Sequence, residues 1–524
     1  MPPPSSLPWR RSARRRRTKA EPDATPRARQ RRGSGAGNPE DNTTIKKIIP
    51  FLKGRNKWRN VMNEQDKSAP QSPFEKKKLR RVVAASFAGA LLEWYDFFIF
   101  GTASGLIFNR LFFSNADPTL GMIAAFATFG VGFLARPLGG IVFGHFGDRV
   151  GRKSTLIATL IITGGATFLI GLLPTYQSIG IWAPILLATL RLVQGFGLGG
   201  EYGGAALMTI ESAPYEQRGF WGALPQMAAS AGIMLATGVF ALCNLVFTEQ
   251  ELLAWGWRIP FLLSAVMLIV GLLIRLHVEE TLDFSQAKAK HAKAKTDAAR
   301  GTVTRPKEAL PIVELFRGHP REIVLALGAR LAETVSSNII NAFGIAYVST
   351  QLALGRELPL TGMLIASFVG IGMCPLAGWI SDRVGQRAVY MAGAIATLLL
   401  IFPFFMLLNS GNATLVCLAF LVTYNLGPTL MFAVQPTMFA RMFRTRVRYS
   451  GLSFAYQFSA ILGGLTPLIA ATLLAVGGGA PWLVAGYGAV IALLSFISVV
   501  LVDPAPVRGV DDHLAHAGED VRSN

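Results

Sequence analysis

Gly144-His-Phe-Gly-Asp-Arg-Val-Gly-Arg-Lys153 returns 234 positions later as Gly378-Trp-Ile-Ser-Asp-Arg-Val-Gly-Gln-Arg387. The two stretches align without a gap and share the leading Gly, the Asp-Arg-Val-Gly core and a basic end. Each follows an apolar run of membrane-spanning length. A basic turn that only sets topology explains the Arg and Lys, but not Gly and Asp at matching places. The repeat therefore marks a duplicated unit of six helices, with the loop between helices two and three recurring between helices eight and nine. Two parallel halves joined by a central loop are the plan of an alternating-access carrier, which binds its cargo midway between them.

The composition around the repeat agrees. The chain has 524 residues, 51% hydrophobic and 16% charged. Residues 1–81 hold 23 Lys and Arg against 7 Asp and Glu, whereas the remaining 443 hold 28 against 24. That nearly neutral body contains recurring uncharged runs of about 20 residues, the length that crosses a hydrocarbon core of roughly 30 Å. A soluble enzyme or a nucleic-acid-binding protein is excluded for this body. The expected fold is an all-α polytopic membrane protein with twelve transmembrane helices in two pseudo-symmetric six-helix halves, 82–277 and 321–503. A central loop (278–320) joins them and a tail (504–524) follows. Apolar runs place the helices near 84–108, 120–146, 154–173, 181–208, 221–247, 259–277, 322–350, 361–381, 388–408, 413–438, 451–475 and 481–502. Ala-Lys repeats at 287–295 suggest a short surface helix in the central loop.

Counting Lys and Arg in alternate loops sets the orientation. One set carries 19, including Arg149, Arg152, Lys153, Arg383 and Arg387; the other carries only Arg110, Arg258 and Arg356. The N-terminus, the central loop and the C-terminus are thus expected in the cytoplasm, in a multi-pass protein of the cell membrane. The Arg-, Pro- and Ser-rich stretch 1–81 is expected to be disordered and has no apolar signal core. It reads as a tail for anionic lipid or nucleic acid, as a regulatory tail, or as sequence upstream of a true start at Met62. The last is favoured, since a short polar leader and Phe74-Glu-Lys-Lys-Lys-Leu-Arg-Arg81 then supply the basic flank of the first span. Cys243, Cys374 and Cys417 stand apart without metal or disulfide spacing and read as buried packing residues.

The paired loops resemble the hallmark loops of the major facilitator superfamily. More narrowly, the chain is similar to the metabolite:proton symporter family, which includes shikimate, 2-oxoglutarate, citrate and proline/betaine carriers. The stretches that carry the likeness are Glu93-Trp-Tyr-Asp-Phe97, Arg136-Pro-Leu-Gly-Gly140, Arg191-Leu-Val-Gln-Gly195 running into Gly199-Gly-Glu201, and Trp255-Gly-Trp-Arg-Ile-Pro260. Phe126-Ala-Thr-Phe-Gly-Val-Gly132 and the Trp182-Ala-Pro-Ile-Leu-Leu187 run bring it nearest to shikimate-type permeases. The likeness covers about residues 80–503. It implies import of a small organic acid with protons by a functional monomer, with the proton as coupling ion, no cofactor and no nucleic-acid partner. A proline/betaine-type osmolyte carrier is the alternative, and a carrier-like nutrient receptor a more distant one. In the second loop Gln386 replaces Arg152, which weakens that half's charge network.

A charge within a membrane helix costs about 2.5–3.5 kcal/mol on insertion scales and marks a functional candidate. Glu93 and Asp96 lie one turn apart on the first helix. Two desolvated carboxylates this close resist joint ionisation, so one can hold a proton near neutral pH; the other reading is an ion pair with an Arg on another helix. Glu201, seven residues beyond Gln194, and Glu333 are further proton-coupling candidates. Arg136, Arg191 and, third in order, Arg330 are candidate anion hooks, because guanidinium forks match carboxylates; Arg136 reads equally as a partner of Asp96 or Asp148. Arg330, Ser337 and Asn341 form a polar stripe on helix seven. Gln194, Gln226, Asn425, Tyr456 and Gln457 either hydrogen-bond the substrate or join helices. The Gly195–Gly200 run matches a dinucleotide pattern, but within a membrane helix its glycines serve close packing.

Asp148 and Asp382 end their helices next to the expected N-termini of helices eleven and five, where a carboxylate caps exposed N–H groups. With Arg149, Arg152 and Arg383 they form the candidate gating set. The superfamily resemblance implies that these contacts help close the cytoplasmic side. A passive channel is the rival without a pore-lining charge ring to support it, and no catalytic constellation supports an enzyme. Proton coupling at Asp96 generates a first prediction. Asp96→Asn is expected to abolish accumulation against a gradient while leaving counterflow exchange, and a variant that still accumulates substrate with ordinary pH dependence rules the assignment out.

Overall fold

The computed structural model describes residues 73–113, 117–150, 152–199, 209–210, 213–277, 311–443 and 447–502. The basic N-terminal stretch before residue 73, the Ala-Lys repeats at 287–295, Glu201 and the C-terminal tail lie outside the described residues, as do the side chains of Asp148, Arg149 and Arg152.

Among the described residues the secondary structure is helical throughout. Nine helices are long and apolar enough to cross a membrane. A bent pair, Glu249–Gly256 with Arg258–Leu273, and two shorter apolar helices supply the other places. In chain order we label them α1 (Val82–Leu111), α2 (Pro118–Val150), α3 (Arg152–Leu172), α4 (Trp182–Leu198), α5 (Arg218–Val246) and α6 (Arg258–His277). The second set is α7 (Pro320–Gln351), α8 (Glu357–Val384), α9 (Gln386–Asn409), α10 (Ala413–Ala440), α11 (Arg448–Val476) and α12 (Trp482–Leu501). The far end of α4 runs into undescribed residues; every other end falls within about four residues of the position read from apolar runs. From the central loop, Pro311–Gly318 is a short helix.

Packing repeats with a shift of six helices. In the first set α1 packs on α5, α2 on α4 and α3 on α6; in the second α7 packs on α11, α8 on α10 and α9 on α12. The sets meet through α5 on α8 and α2 on α11, a contact pair that the same six-helix shift exchanges. Local irregularities repeat too. A π-helical turn interrupts α1 at Ser104–Phe108 and α7 at Ile339–Phe343, offset by nearly the spacing of the loop motif. Such turns concentrate at functional positions. A further one in α10, Asn425–Thr429, contains Pro428, whose missing N–H breaks the ordinary ladder.

The outer face is apolar: Leu245, Phe368 and Leu399 are 74%, 69% and 65% exposed. In lipid this surface needs no burial, so the bundle must be held by close packing and interior polar contacts. Glycines make the closest approach, between α2 and α4. A Cβ on Gly195 would overlap the Gly132 carbonyl, one on Gly139 the Phe196 carbonyl, and one on Gly199 the Arg136 carbonyl. Because each obstacle is backbone, relief requires a helix to move. Gly195→Ala is therefore expected to destabilise by at least the about 1–3 kcal/mol typical of overpacking, read as a lowered melting temperature in detergent; an unchanged value would contradict the close α2–α4 approach.

Candidate functional site

The interior of the bundle holds three arginines and three carboxylates among the described residues. Arg136 on α2 pairs with Glu93 on α1, Nη2 to Oε1, at 3.3 Å, with side chains 6% and 10% exposed. Glu93 and Asp96 thus do not share one environment: Asp96, one turn on, lies beside Thr167 and Arg191, and its Oδ1 has no hydrogen-bond partner among the described residues. A helix presents residues three apart on one side but tilted, and that tilt sends the two carboxylates to different helices. Among the described residues the ion-pair partner of Arg136 is Glu93 rather than Asp96.

Arg191 on α4 is almost wholly enclosed. Its guanidinium lies over Phe97, Phe100, Phe129 and Phe133 at 5.5, 4.4, 4.9 and 5.8 Å from their centroids, a cation–π enclosure. It donates to Gln194 Oε1 and to the Phe129 carbonyl. Gln194 in turn donates to Thr167 Oγ1 at 2.8 Å and to the Asp96 carbonyl at 3.3 Å. The network joins α1, α2, α3 and α4 around Asp96; Asp96, Thr167, Arg191 and Gln194 line neither of the interior cavities described below, and only the Phe129 ring reaches the second.

Arg330 on α7 forms the counterpart hub. Nη1 donates to the Tyr456 carbonyl (2.7 Å) and Ser459 Oγ (3.0 Å), Nε donates to Gln435 Oε1 (3.2 Å), and Nη2 pairs with Glu333 at 3.6 Å. Its guanidinium also stacks 3.4 Å from the Tyr456 ring centroid. Glu333 faces a cavity of about 20 Å³ between the two sets of helices, which Trp94, Gln226, Ser230, Tyr424 and Thr429 also line. Asn338 and Asn341 of α7 line a second, of about 10 Å³, where the Asn341 amide nitrogen has no hydrogen-bond partner among the described residues. Spaces of this size hold about one water. Asn425 and Gln457 act between helices: Asn425 donates to the Ala366 carbonyl of α8, and Gln457 to the Gly199 carbonyl beyond α4, each at 2.9 Å.

Both ends are bridged. At the end rich in basic loops, Asp382 of α8 accepts from the backbone N–H groups of Gly219 (2.7 Å) and Phe220 (2.9 Å) in the first turn of α5. Arg383 stacks on Trp379, 3.2 Å from the ring centroid. At the opposite end Glu249 Oε1 accepts from Arg110 (2.6 Å) in the first half and Arg356 (3.2 Å) in the second. Burial, then the neighbouring Arg110 charge, pulls the Arg356 guanidinium below its ordinary pKa, with Glu249 opposing.

Sequence reading passed over Ser230, Tyr424, Thr429, Gln435 and Ser459. Isolated hydroxyls and amides recur throughout apolar helices, usually bonded to the carbonyl one turn back, so only their tertiary neighbours separate them from the rest.

A helical bundle with a six-helix repeat, a charged but compensated interior and a bridge at each end is a multi-pass membrane transporter. The chain belongs to the sugar (and other) transporter family, whose model matches residues 82–504, within the major facilitator superfamily. Members of this family are transporters, not enzymes. The chain is 41% identical over 398 residues to the shikimate transporter of Escherichia coli (strain K12), covering 76% of this chain and 88% of that one. It is 38% identical over 402 residues to the proline/betaine transporter of Salmonella typhimurium, covering 76% and 78%. The xylose transporter of E. coli in its partially occluded inward-open conformation superposes with a TM-score of 0.62 at 17% identity, over 80% of this chain and 97% of that one, a likeness of fold.

The Asp382 contact can be weighed directly. Removing an ordinary helix cap costs about 0.5–2 kcal/mol, enough to shift a two-state population about 2- to 30-fold. Asp382→Ala is expected to raise the labelling of a cysteine placed in the interior toward that end and to slow transport while sparing binding. Unchanged labelling would count against Asp382 as part of a gate.

Proposed function

We propose that the protein imports small organic acids together with protons across the cell membrane by alternating access, as a monomer with both termini in the cytoplasm. The observation that carries this reading is the interior charge count: Arg136, Arg191 and Arg330 against Glu93, Asp96 and Glu333. An incoming carboxylate adds a negative charge that a low-dielectric interior opposes by several kcal/mol. One proton on one of the three carboxylates restores neutrality, so anion and proton cross together.

The Arg330–Glu333 pair suggests how. Glu333 is the counter-ion of Arg330 and also faces the central cavity. If Glu333 takes up the proton, Arg330 is released to a substrate carboxylate, with Gln435 holding the guanidinium in place. Arg136 with Glu93 is the second such pair, and Asp96 beside Arg191 is a proton site set apart from the cavity. The bridges at Asp382 and Glu249 serve as the inner and outer closures. Trp94, Phe98 and Phe432 form an aromatic cluster on the cavity, which favours a methylated zwitterion as the second reading; a zwitterion brings no net charge and needs no proton for neutrality.

Uptake into proteoliposomes separates the two. An acid such as shikimate is expected to accumulate only with an inward proton gradient, and Arg330→Lys, which replaces a planar fork by a point charge, is expected to weaken binding about 30-fold or more. Accumulation of glycine betaine alone, or acid uptake indifferent to the gradient, would overturn the reading.

A further inference from the structure

A pair of hydroxyls links the two halves inside the central cavity. Ser230 Oγ on α5 lies 3.2 Å from Tyr424 OH on α10, and both side chains are nearly fully buried, 3% and 4% exposed. Tyr424 stands at the start of the π-helical turn Asn425–Thr429. The extra residue in that turn brings Thr429 round to the same cavity, and Asn425 pins the turn to α8 through the Ala366 carbonyl. Behind the pair, α8 presents Gly370. A Cβ there would lie 2.7 Å from Ser230 Oγ and 3.2 Å from Tyr424 Cε1, so only glycine leaves the two hydroxyls room.

We propose that Ser230 and Tyr424 form the specificity-determining pair of the cavity, selecting ring carboxylates that carry neighbouring hydroxyls. The inference rests on the reading that organic acids occupy this cavity, and it names which of them. Each hydroxyl offers one donor and two acceptor sites. In this conformation the two satisfy each other across the interface between the halves. A ligand that enters must part them, and a ligand with two adjacent hydroxyls replaces what it breaks, one bond to each half. Oxygens on neighbouring ring carbons have much the same separation as this pair. An acid without hydroxyls, or a methylated ammonium, parts them and returns nothing, leaving buried polar groups unmatched. Trp94 and Phe432, edge to face with centroids 5.5 Å apart, offer apolar surface to the ring's unsubstituted face. The same ligand then ties α5 to α10, so recognition of its hydroxyls also favours the closed state.

Calorimetry on the purified full-length protein tests this with shikimate and cyclohexanecarboxylate, which share a ring and a carboxylate but not the hydroxyls, and with glycine betaine. The wild-type protein is expected to bind shikimate at least tenfold more tightly than cyclohexanecarboxylate, about tenfold for each hydroxyl left unmatched. Tyr424→Phe and Ser230→Ala are each expected to lower shikimate affinity about tenfold while raising that for cyclohexanecarboxylate, which then has no hydroxyl pair to part. Gly370→Ala, which touches the pair and not the ligand, should narrow the same difference. Equal affinity of the wild type for the two acids overturns the proposal while leaving acid transport standing, as does a variant that weakens both acids alike. Binding of glycine betaine alone overturns the acid reading itself. Should Tyr424→Phe fail to fold, as judged by size exclusion, Ser230→Ala and Gly370→Ala carry the comparison.

Discussion

An uncompensated charge cannot remain in the interior of a bundle surrounded by lipid, and the arrangement of the helices follows from satisfying that constraint three times. Arg136 has Glu93, Arg191 has four phenylalanine rings with Gln194 and a carbonyl, and Arg330 has Glu333, Gln435, Ser459 and Tyr456. Each set draws on several helices. Arg191 gathers α1, α2 and α4, and Arg330 gathers α7, α10 and α11. With lipid outside, no hydrophobic force presses these helices together, so packing at glycine contacts and polar hubs of this kind must hold each half.

The contacts between halves differ in kind. Asp382 caps a helix end, Glu249 stands between two arginines with more than half of its side chain exposed, and Ser230 meets Tyr424 through a single hydroxyl pair. Exposed ion pairs contribute at most about 1 kcal/mol, and a net hydrogen bond about the same. Links of that size can be broken and remade as the halves move. Polar links of this kind suit a two-state carrier, because ligand and proton can move an equilibrium only by their differential affinity for its states.

The two halves are related by their packing but not by their charges. The loop spacing carries Asp96 of α1 onto Arg330 of α7, a carboxylate onto a guanidinium. The duplicated backbone, with its matching π-helical turns, therefore holds a carboxylate in one half at the position where the other holds a guanidinium. The difference follows from side chains alone.

The number of helices, their spans and the duplication could all be read from the chain, because they are set by local apolarity and by a motif repeated at fixed spacing. The kinds of residue at the centre were also legible: Glu93, Asp96, Arg136, Arg191, Arg330 and Glu333 stand out as charges in apolar runs. Their partners were not. Glu93 and Asp96 are three residues apart and meet different arginines, and Arg191, chemically as good an anion hook as Arg330, is walled off by rings from two other helices. Gln435, Ser230 and Tyr424 gain their significance only from neighbours roughly 100 to 200 positions away. Apolar spacing is written along one helix, but the side on which a polar group finds its partner depends on how helices turn and cross, and that is decided by the packing of all of them at once.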